Sequence, residues 1–305
     1  MRMLRDPADM PRCVLALGTF DGVHLGHQVL LMRGGELANR LGCPLAVCTF
    51  EPHPLRVLRP EAAPPLLTTL PERAALMAEF GVDSLCVTTF TRERADQPPE
   101  DYMEELARVY HPAAVVCGFN FTFGQGGRGN GETLRHFGEK HGFETVIVPE
   151  VTLENGAVSS SRIRRALQGG ELALASRLLG HAYTLSGRVA DGKHIGRTMG
   201  FPTANVAVPR GKALPAFGVY ACWLETAEGF YPAVVNVGRH PTLPEGWVTV
   251  EAHALDASLS LYGQHVRLTF LRFQRPEQTF DGVEALRAQI ARDAEECRIY
   301  FAGLR

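Results

Sequence analysis

The chain has 305 residues, 45% of them hydrophobic and 21% charged, with a formal net charge of -2. That length predicts about two domains, the composition is that of a folded chain able to bury a core, and the near-neutral balance excludes bulk attraction to nucleic acid or an anionic membrane. The seven cysteines (Cys13, Cys43, Cys48, Cys86, Cys117, Cys222, Cys297) are scattered through runs such as LAVCTF and AVVCGF with no CxxC pair. They predict reduced, buried thiols, not a disulfide framework or a cysteine zinc site.

The N-terminus, MRMLRDPADMPRCVLALG, carries acids and prolines before a short apolar run, unlike a signal peptide. No apolar stretch approaches the roughly 18 residues of a spanning helix. The expectation is a cytoplasmic protein that works on small molecules, with no membrane or nucleic-acid partner, as a monomer or weak homo-oligomer.

In chain order, CVLALGTF reads as a strand, VLLMRGGELANRLG as a helix and PLAVCTF as a strand; RAALMAEFG, SLCVTTF, YMEELARVY, AAVVCGF and TVIVPE continue the alternation. Strands separated by helices predict βαβ units and a largely parallel sheet, with ligands at the carboxyl ends of the strands. In VSSSRIRRALQGGELALASRLLGH, serines precede one helix and a GG pair breaks it from a second. From about residue 183 the pattern changes to YTLSGRVA, GVYACWLE, YPAVVNVG, VTVEAHAL and HVRLTFLRF, short strands divided by Gly and Pro, which predict an antiparallel barrel or sandwich. GVEALRAQIARDAEECRIYF closes the chain as a helix, and the domain boundary is expected near residue 180.

Four segments carry chemistry. In GTFDGVHLGHQ, Gly18, Gly22 and Gly26 allow close backbone approach after a strand, and His24 and His27 sit three apart where a helix begins. A helix N-terminus favours anions, so phosphate binding ranks above zinc, which lacks the HExxH pattern and finds only His53 as a third ligand; helix-surface histidines are the remaining alternative. In GFNFTFGQGGRGNG, Gly124, Gly126 and Gly129 satisfy GxGxxG with Glu150 about 20 residues on, yet the run lies deep in the sheet pattern, not at its first βα turn. Asn120 and Arg128 make it a phosphate-tolerant loop or a plain surface turn. SSSRIRRAL offers Ser159, Ser160 and Arg164 as a polyphosphate cradle or an ordinary capped helix. In DGKHIGRTMGFPTANV, glycines alternate with Lys193 and Arg197, and Thr203 and Asn205, two apart, would face one way in a strand as hard oxygen ligands for magnesium with substrate phosphates. Glu251, with His253 on the same strand face, is a candidate general base or a solvent-exposed carboxylate. No Walker A loop is present, since Gly211 and Lys212 precede Ala213.

Together GTFDGVHLGHQ, TFEPHP, GFNFTFG, SSSRIR, LLGHAYTLSGRV, GRTMGFPTAN, LPAFGVYA, NVGRHPT, VEAHAL, SLYG and FDGVEALRAQIARD resemble, in this order, the prokaryotic bifunctional riboflavin kinase and FAD synthetase family. The resemblance implies a Rossmann-like FMN adenylyltransferase domain over residues 1–180 and a small antiparallel β-barrel riboflavin kinase domain, ending in a helix, over 181–305. The implied reactions are riboflavin plus ATP to FMN and ADP, then FMN plus ATP to FAD and pyrophosphate, with Mg2+. It further implies that Gly18, Phe20, Asp21, Asn120, Ser159, Ser160 and Arg164 bind ATP and FMN, and that His24 and His27 stabilise the adenylyl transfer. Gly192, Lys193, Gly196, Arg197, Gly200, Pro202, Thr203 and Asn205 would bind ATP and riboflavin, Thr203 and Asn205 would hold magnesium, and Glu251 would take the riboflavin 5′-hydroxyl proton. The sequence departs from the family pattern at Glu51, Thr122, Ser161, His240 and Leu243. Of the competing readings, an oxidoreductase holding NAD or FAD at the GxGxxG-like loop rests on that single match, and intact Thr203, Asn205, Glu251 and both histidines argue against a non-catalytic flavin- or nucleotide-binding carrier.

Overall fold

Strand β2 (Cys13–Leu17) is buried at every position, as a strand covered on both faces must be. Its alternation splits the core: Val14 and Ala16 pack in one apolar layer, Cys13, Leu15 and Leu17 in the other. The computed structural model describes residues 1–190, 200–239, 248–257 and 259–304. They form two compact units, Met1–Ser160 and Ser161–Arg305.

In the first unit β2 belongs to a six-stranded sheet with β1 (Arg2–Arg5), β3 (Leu45–Glu51), β4 (Ser84–Thr89), β5 (Pro112–Gly118) and β8 (Glu144–Val148). The order is β1-β4-β3-β2-β5-β8, and every pair is parallel. Helices α1 (Leu25–Leu41) and α3 (Leu70–Glu79) cover one face through Leu30, Leu31, Leu37, Ala74 and Met77. Helices α5 (Pro99–Tyr110) and α6 (Gly131–His141) cover the other through Tyr102, Met103, Leu106 and Leu134. Two short helices, α2 (Pro54–Leu58) and α4 (Arg92–Ala95), complete the connections. The strand order reverses at β2, with β3 on one side and β5 on the other, and this opens a crevice at their carboxyl ends.

The GxGxxG-like run does not form a dinucleotide turn. Its glycines lie around a 3-10 turn between β6 (Thr122–Phe123) and β7 (Gly129–Asn130), an antiparallel two-residue ladder. A second such ladder joins β9 (Thr152–Leu153) to β10 (Gly156–Ala157).

In the second unit β11 (Tyr183–Ala190), β12 (Ala204–Val206), β13 (Gly218–Thr226), β14 (Gly229–Arg239), β15 (Val248–Ala254) and β16 (His265–Pro276) close into an antiparallel barrel, in the order β11-β12-β15-β14-β13-β16. Alternate residues such as Leu185, Tyr220, Val235, Val250 and Leu268 fill it. Helix α7 (Ser160–Gln168) leads into α8 (Leu172–Leu179), which packs on β11 and β16. The last helix, α9 (Val283–Ala302), covers part of the outer wall, where Ala294, Cys297 and Phe301 meet Ala221 and Trp223.

Candidate active sites

The segment after β2 is a tight loop held against its own backbone preferences. Phe20 (φ 52°) and Val23 (φ 41°) adopt left-handed conformations although neither is glycine, and both are fully buried. Such strain persists only where surrounding groups over-determine it. Asp21, almost completely buried, does much of that work. Its carboxylate accepts from the backbone N–H groups of Leu67 (3.1 Å) and Thr68 (3.0 Å) and from the Thr68 hydroxyl (3.3 Å), while Gly22 N–H donates to Thr68 Oγ1 at 2.9 Å. The Ser160 hydroxyl donates to the Asp21 carbonyl at 2.9 Å, within the same unit. Asp21 thus holds the loop through these bonds.

The two histidines do not share a helix face in the simple way their spacing predicts. Helix α1 starts at Leu25, so His24 is its N-cap and lies outside the helix. His24 Nδ1 accepts from the His27 backbone N–H at 3.4 Å, which leaves the proton of a neutral ring on Nε2. The rings stack, with centroids 3.7 Å apart and planes 15° off parallel. Gly26 makes this possible: a Cβ there would lie 3.2 Å from His24 Cε1 and 3.3 Å from Nδ1. Burial pushes the His27 ring well below its ordinary basicity, and the neighbouring His24 and Arg73 push it the same way. Its Nδ1 is buried with no hydrogen-bond partner.

Asn120 occupies the other lip of the crevice, in a turn just past β5 closed by Phe121 N–H donating to Gly118 O at 3.0 Å. Gly118 makes room for it, since a Cβ there would stand 3.4 Å from Asn120 Oδ1. The structure therefore brings Gly18, Phe20, Asp21, His24 and His27 together on one loop and puts Asn120 on the adjacent strand end. Ser159 precedes Ser160, and Arg164 is buried one turn further along α7. A cavity of about 260 Å3 on the α5 side of the sheet is lined by Phe50, Thr88, Arg94, Tyr102, Glu105 and Tyr110 among others.

No cysteine thiolate is available as a nucleophile beside this loop. Burial pushes the Cys13 and Cys86 thiols up to about 12 and the Cys117 thiol up to about 11. All seven thiols are free, and among the described residues no cluster of three metal-ligating side chains exists.

On the barrel, Asn205 of β12 pairs directly with Glu251 of β15, and Glu251 pairs on its other side with Asn236 of β14. The three side chains form one row across three strands, half-buried between fully buried neighbours, on the outer wall of the barrel. Thr203 alternates with buried Ala204 and so lies on the face of Asn205. His253 donates from Nδ1 to the Pro202 carbonyl at 2.8 Å, and its ring meets Phe201 edge-on at 5.5 Å. These contacts tie the FPTAN segment to β15. Gly200, at φ 85°, makes the turn that enters it. Gly192, Lys193, Gly196 and Arg197, and with them His240 and Leu243, lie outside the described residues.

Sequence reasoning missed four participants. Arg73, Thr49 and Thr68 surround the loop from behind, and Asn236 completes the barrel row. The ordinary sequence context of Arg73, fourth residue of an amphipathic helix, gives no signal; its burial does.

Comparison with known proteins agrees with this division. A FAD synthetase family model matches residues 6–162, and a riboflavin kinase family model matches residues 179–301. The bifunctional riboflavin kinase/FMN adenylyltransferase of Listeria monocytogenes is 37% identical over 295 residues, covering 95% of this chain and 93% of that protein. The Escherichia coli K12 protein of the same name is 38% identical over 292 residues (95% and 93%), and that of Bacillus subtilis 35% over 302 residues (97% and 95%). A crystal structure from Streptococcus pneumoniae, described as a macrolide-efflux protein, matches with a TM-score of 0.88 at 29% identity over 98% of this chain and 99% of that one. Among the described residues no helix is long and apolar enough to cross a membrane. With both family models matched in turn and relatives 35–38% identical along almost the whole chain, the chain belongs to the bifunctional riboflavin kinase/FMN adenylyltransferase family.

Proposed function

We propose that the barrel unit phosphorylates riboflavin with ATP to give FMN and ADP, and that the sheet unit transfers the adenylyl group of a second ATP to FMN, giving FAD and pyrophosphate. The observation that carries this reading is the presence, in one chain, of the His24–His27 pair at the switch point of a parallel sheet and the Thr203, Asn205 and Glu251 set on one barrel face. Both reactions proceed by positioning and charge stabilisation and need no covalent nucleophile, in keeping with thiols held protonated by burial.

In the adenylyl transfer an FMN phosphate oxygen bonds to the ATP α-phosphorus as the bond to pyrophosphate breaks. His24, with its proton on Nε2, and His27, kept neutral by its surroundings, act as hydrogen-bond donors to the oxygens where charge accumulates. Gly18, Phe20 and Asp21 shape the loop, Asn120 contributes from the β5 end, and Ser159, Ser160 and Arg164 serve the phosphates.

In the kinase reaction Glu251 accepts the riboflavin 5′-hydroxyl proton as that oxygen bonds to the γ-phosphorus and ADP leaves. Thr203 Oγ1 and Asn205 Oδ1 are hard oxygen donors on one face, and they suit magnesium bound with ATP phosphates. Magnesium, when bound, supplies charge neutralisation on the transferring phosphoryl group. Gly192, Lys193, Gly196, Arg197, Gly200 and Pro202 would surround the nucleotide and riboflavin. The domains are assigned as 1–180 and 181–305. We place the reaction in the cytoplasm, carried out by a monomer or weak homo-oligomer with no nucleic-acid partner.

The test is chromatographic separation of flavins after incubation of the pure chain with riboflavin, ATP and magnesium. FMN and FAD are expected; formation of neither refutes the proposal. His27→Ala should stop at FMN, whereas Glu251→Ala should make no FMN from riboflavin yet still convert supplied FMN to FAD. Loss of both activities in folded Glu251→Ala would contradict the assignment of one reaction to each unit.

A further inference from the structure

Arg73 on α3 is only 2% exposed, among the most buried charged side chains of the described residues. It forms no ion pair there: Nη1 donates to Thr49 Oγ1 and Nη2 to the Thr68 carbonyl, both at 3.4 Å, and Nε is buried with no partner. A guanidinium removed from water without a carboxylate at ion-pair distance is costly and is not explained by packing alone. Its two contacts fall on Thr49 and Thr68, the residues that hold the loop through other atoms or bonds of their own. Thr49 Oγ1 donates to the Thr19 carbonyl at 3.1 Å, and Thr68 carries the bonds to Asp21 and Gly22 described above. The other orphaned nitrogen of this unit is His27 Nδ1, on the ring the loop delivers.

We propose that Arg73 is a positioning residue for adenylyl transfer: its guanidinium clamps Thr49 and Thr68 behind the strained Gly18–Val23 loop and so fixes the His24–His27 pair where the nucleotide phosphates arrive. The proposal rests on the adenylyl-transfer reading of that loop. Arg73 acts on the pair in two ways. It fixes the backbone from which His24 caps α1, and its charge opposes protonation of His27. The groups acting on these two side chains are His24 from the N-cap of α1, Asp21 from the loop and Glu51 from β3; the carboxylates favour the Arg73 charge, and burial opposes it.

The experiment compares full-length wild type with Arg73→Gln, Arg73→Lys and Thr49→Val, measuring kcat and KM for FAD formation from FMN and ATP. Riboflavin phosphorylation in the same samples and the NMR titration of the His27 ring are followed alongside. Arg73→Gln should lower kcat for FAD formation about tenfold or more, leave both KM values within about threefold, leave riboflavin phosphorylation unchanged, and raise the pH at which His27 titrates. Arg73→Lys, which keeps the charge and loses the fork, should restore the His27 titration but not kcat. Thr49→Val removes one anchor without touching the charge; it should lower kcat with an unmoved His27 titration, and it decides the matter if Arg73→Gln does not fold. Wild-type kcat per folded molecule in Arg73→Gln, or in Thr49→Val, would overturn the proposal. A wild-type chain that makes no FAD from FMN would instead remove the site reading beneath it.

Discussion

Gly26→Ala separates the stability of α1 from its function. Gly26 lies in the first turn of the helix, and replacing it with alanine should favour the helix by up to about 1 kcal/mol. The new Cβ, however, would stand 3.2 Å from His24 Cε1 and 3.3 Å from Nδ1. The ring must therefore move by a few tenths of an ångström. It cannot do so freely, because its Nδ1 caps the helix through the His27 N–H at 3.4 Å and its face stacks on His27 at 3.7 Å. Weakening the cap costs about 1 kcal/mol, so the two effects nearly cancel and the melting temperature should change little. Catalysis has no such compensation, since a small misplacement of an aligned donor costs on the order of tenfold to a hundredfold in rate. Thermal unfolding together with FAD formation from FMN reads both quantities, and riboflavin phosphorylation by the same sample serves as the internal control. Wild-type kcat for FAD formation would refute the idea that the placement of His24 matters.

Asp21→Asn keeps the shape but replaces one acceptor oxygen with a donor facing N–H groups, and should destabilise the sheet unit by about 2–4 kcal/mol in urea unfolding; a shift within experimental error would mean that its three bonds do not hold the loop. The His27 ring binds its proton less readily folded than unfolded, so as pH falls below the ordinary histidine range the unfolded chain takes up protons first and stability drops. His27→Gln should flatten that acid-side loss in denaturation curves measured between about pH 7 and 5, and an unchanged slope would contradict the depressed basicity. Iodoacetamide at about pH 8, followed by mass spectrometry, should label Cys43 first, because it is only half-buried, while burial raises the thiols of Cys13, Cys86 and Cys297 to about 12. Early labelling of Cys13 or Cys86 in the native chain would show that their strands open.

What the sequence discloses depends on how far apart the cooperating residues lie along it. The histidine pair is legible because strand end, glycines and both rings fall within eleven residues, so local rules for strands and helix termini reach the site unaided. Even so, the spacing alone misplaces His24, since a ring that caps the helix and stacks on the next turn is a property of where the helix starts, and Gly26 decides that through a contact invisible in the string. The barrel row is less legible. Thr203 and Asn205 are recognisable as neighbours on one strand face, but the pairing of Asn205 with Glu251 spans 46 residues and depends on strand register, which local pattern does not fix. Asn236 drops out for the same reason. Arg73 is the extreme case: within its helix it looks like any charged residue of an amphipathic turn, and its meaning comes entirely from burial against Thr49 and Thr68, side chains brought together by three separate elements. Groups that meet substrate tend to sit on the loops beside strand ends, where motifs are short; groups that hold those loops come from anywhere in the fold, and the cost of burying them unpaired is the physical mark by which a structure gives them away.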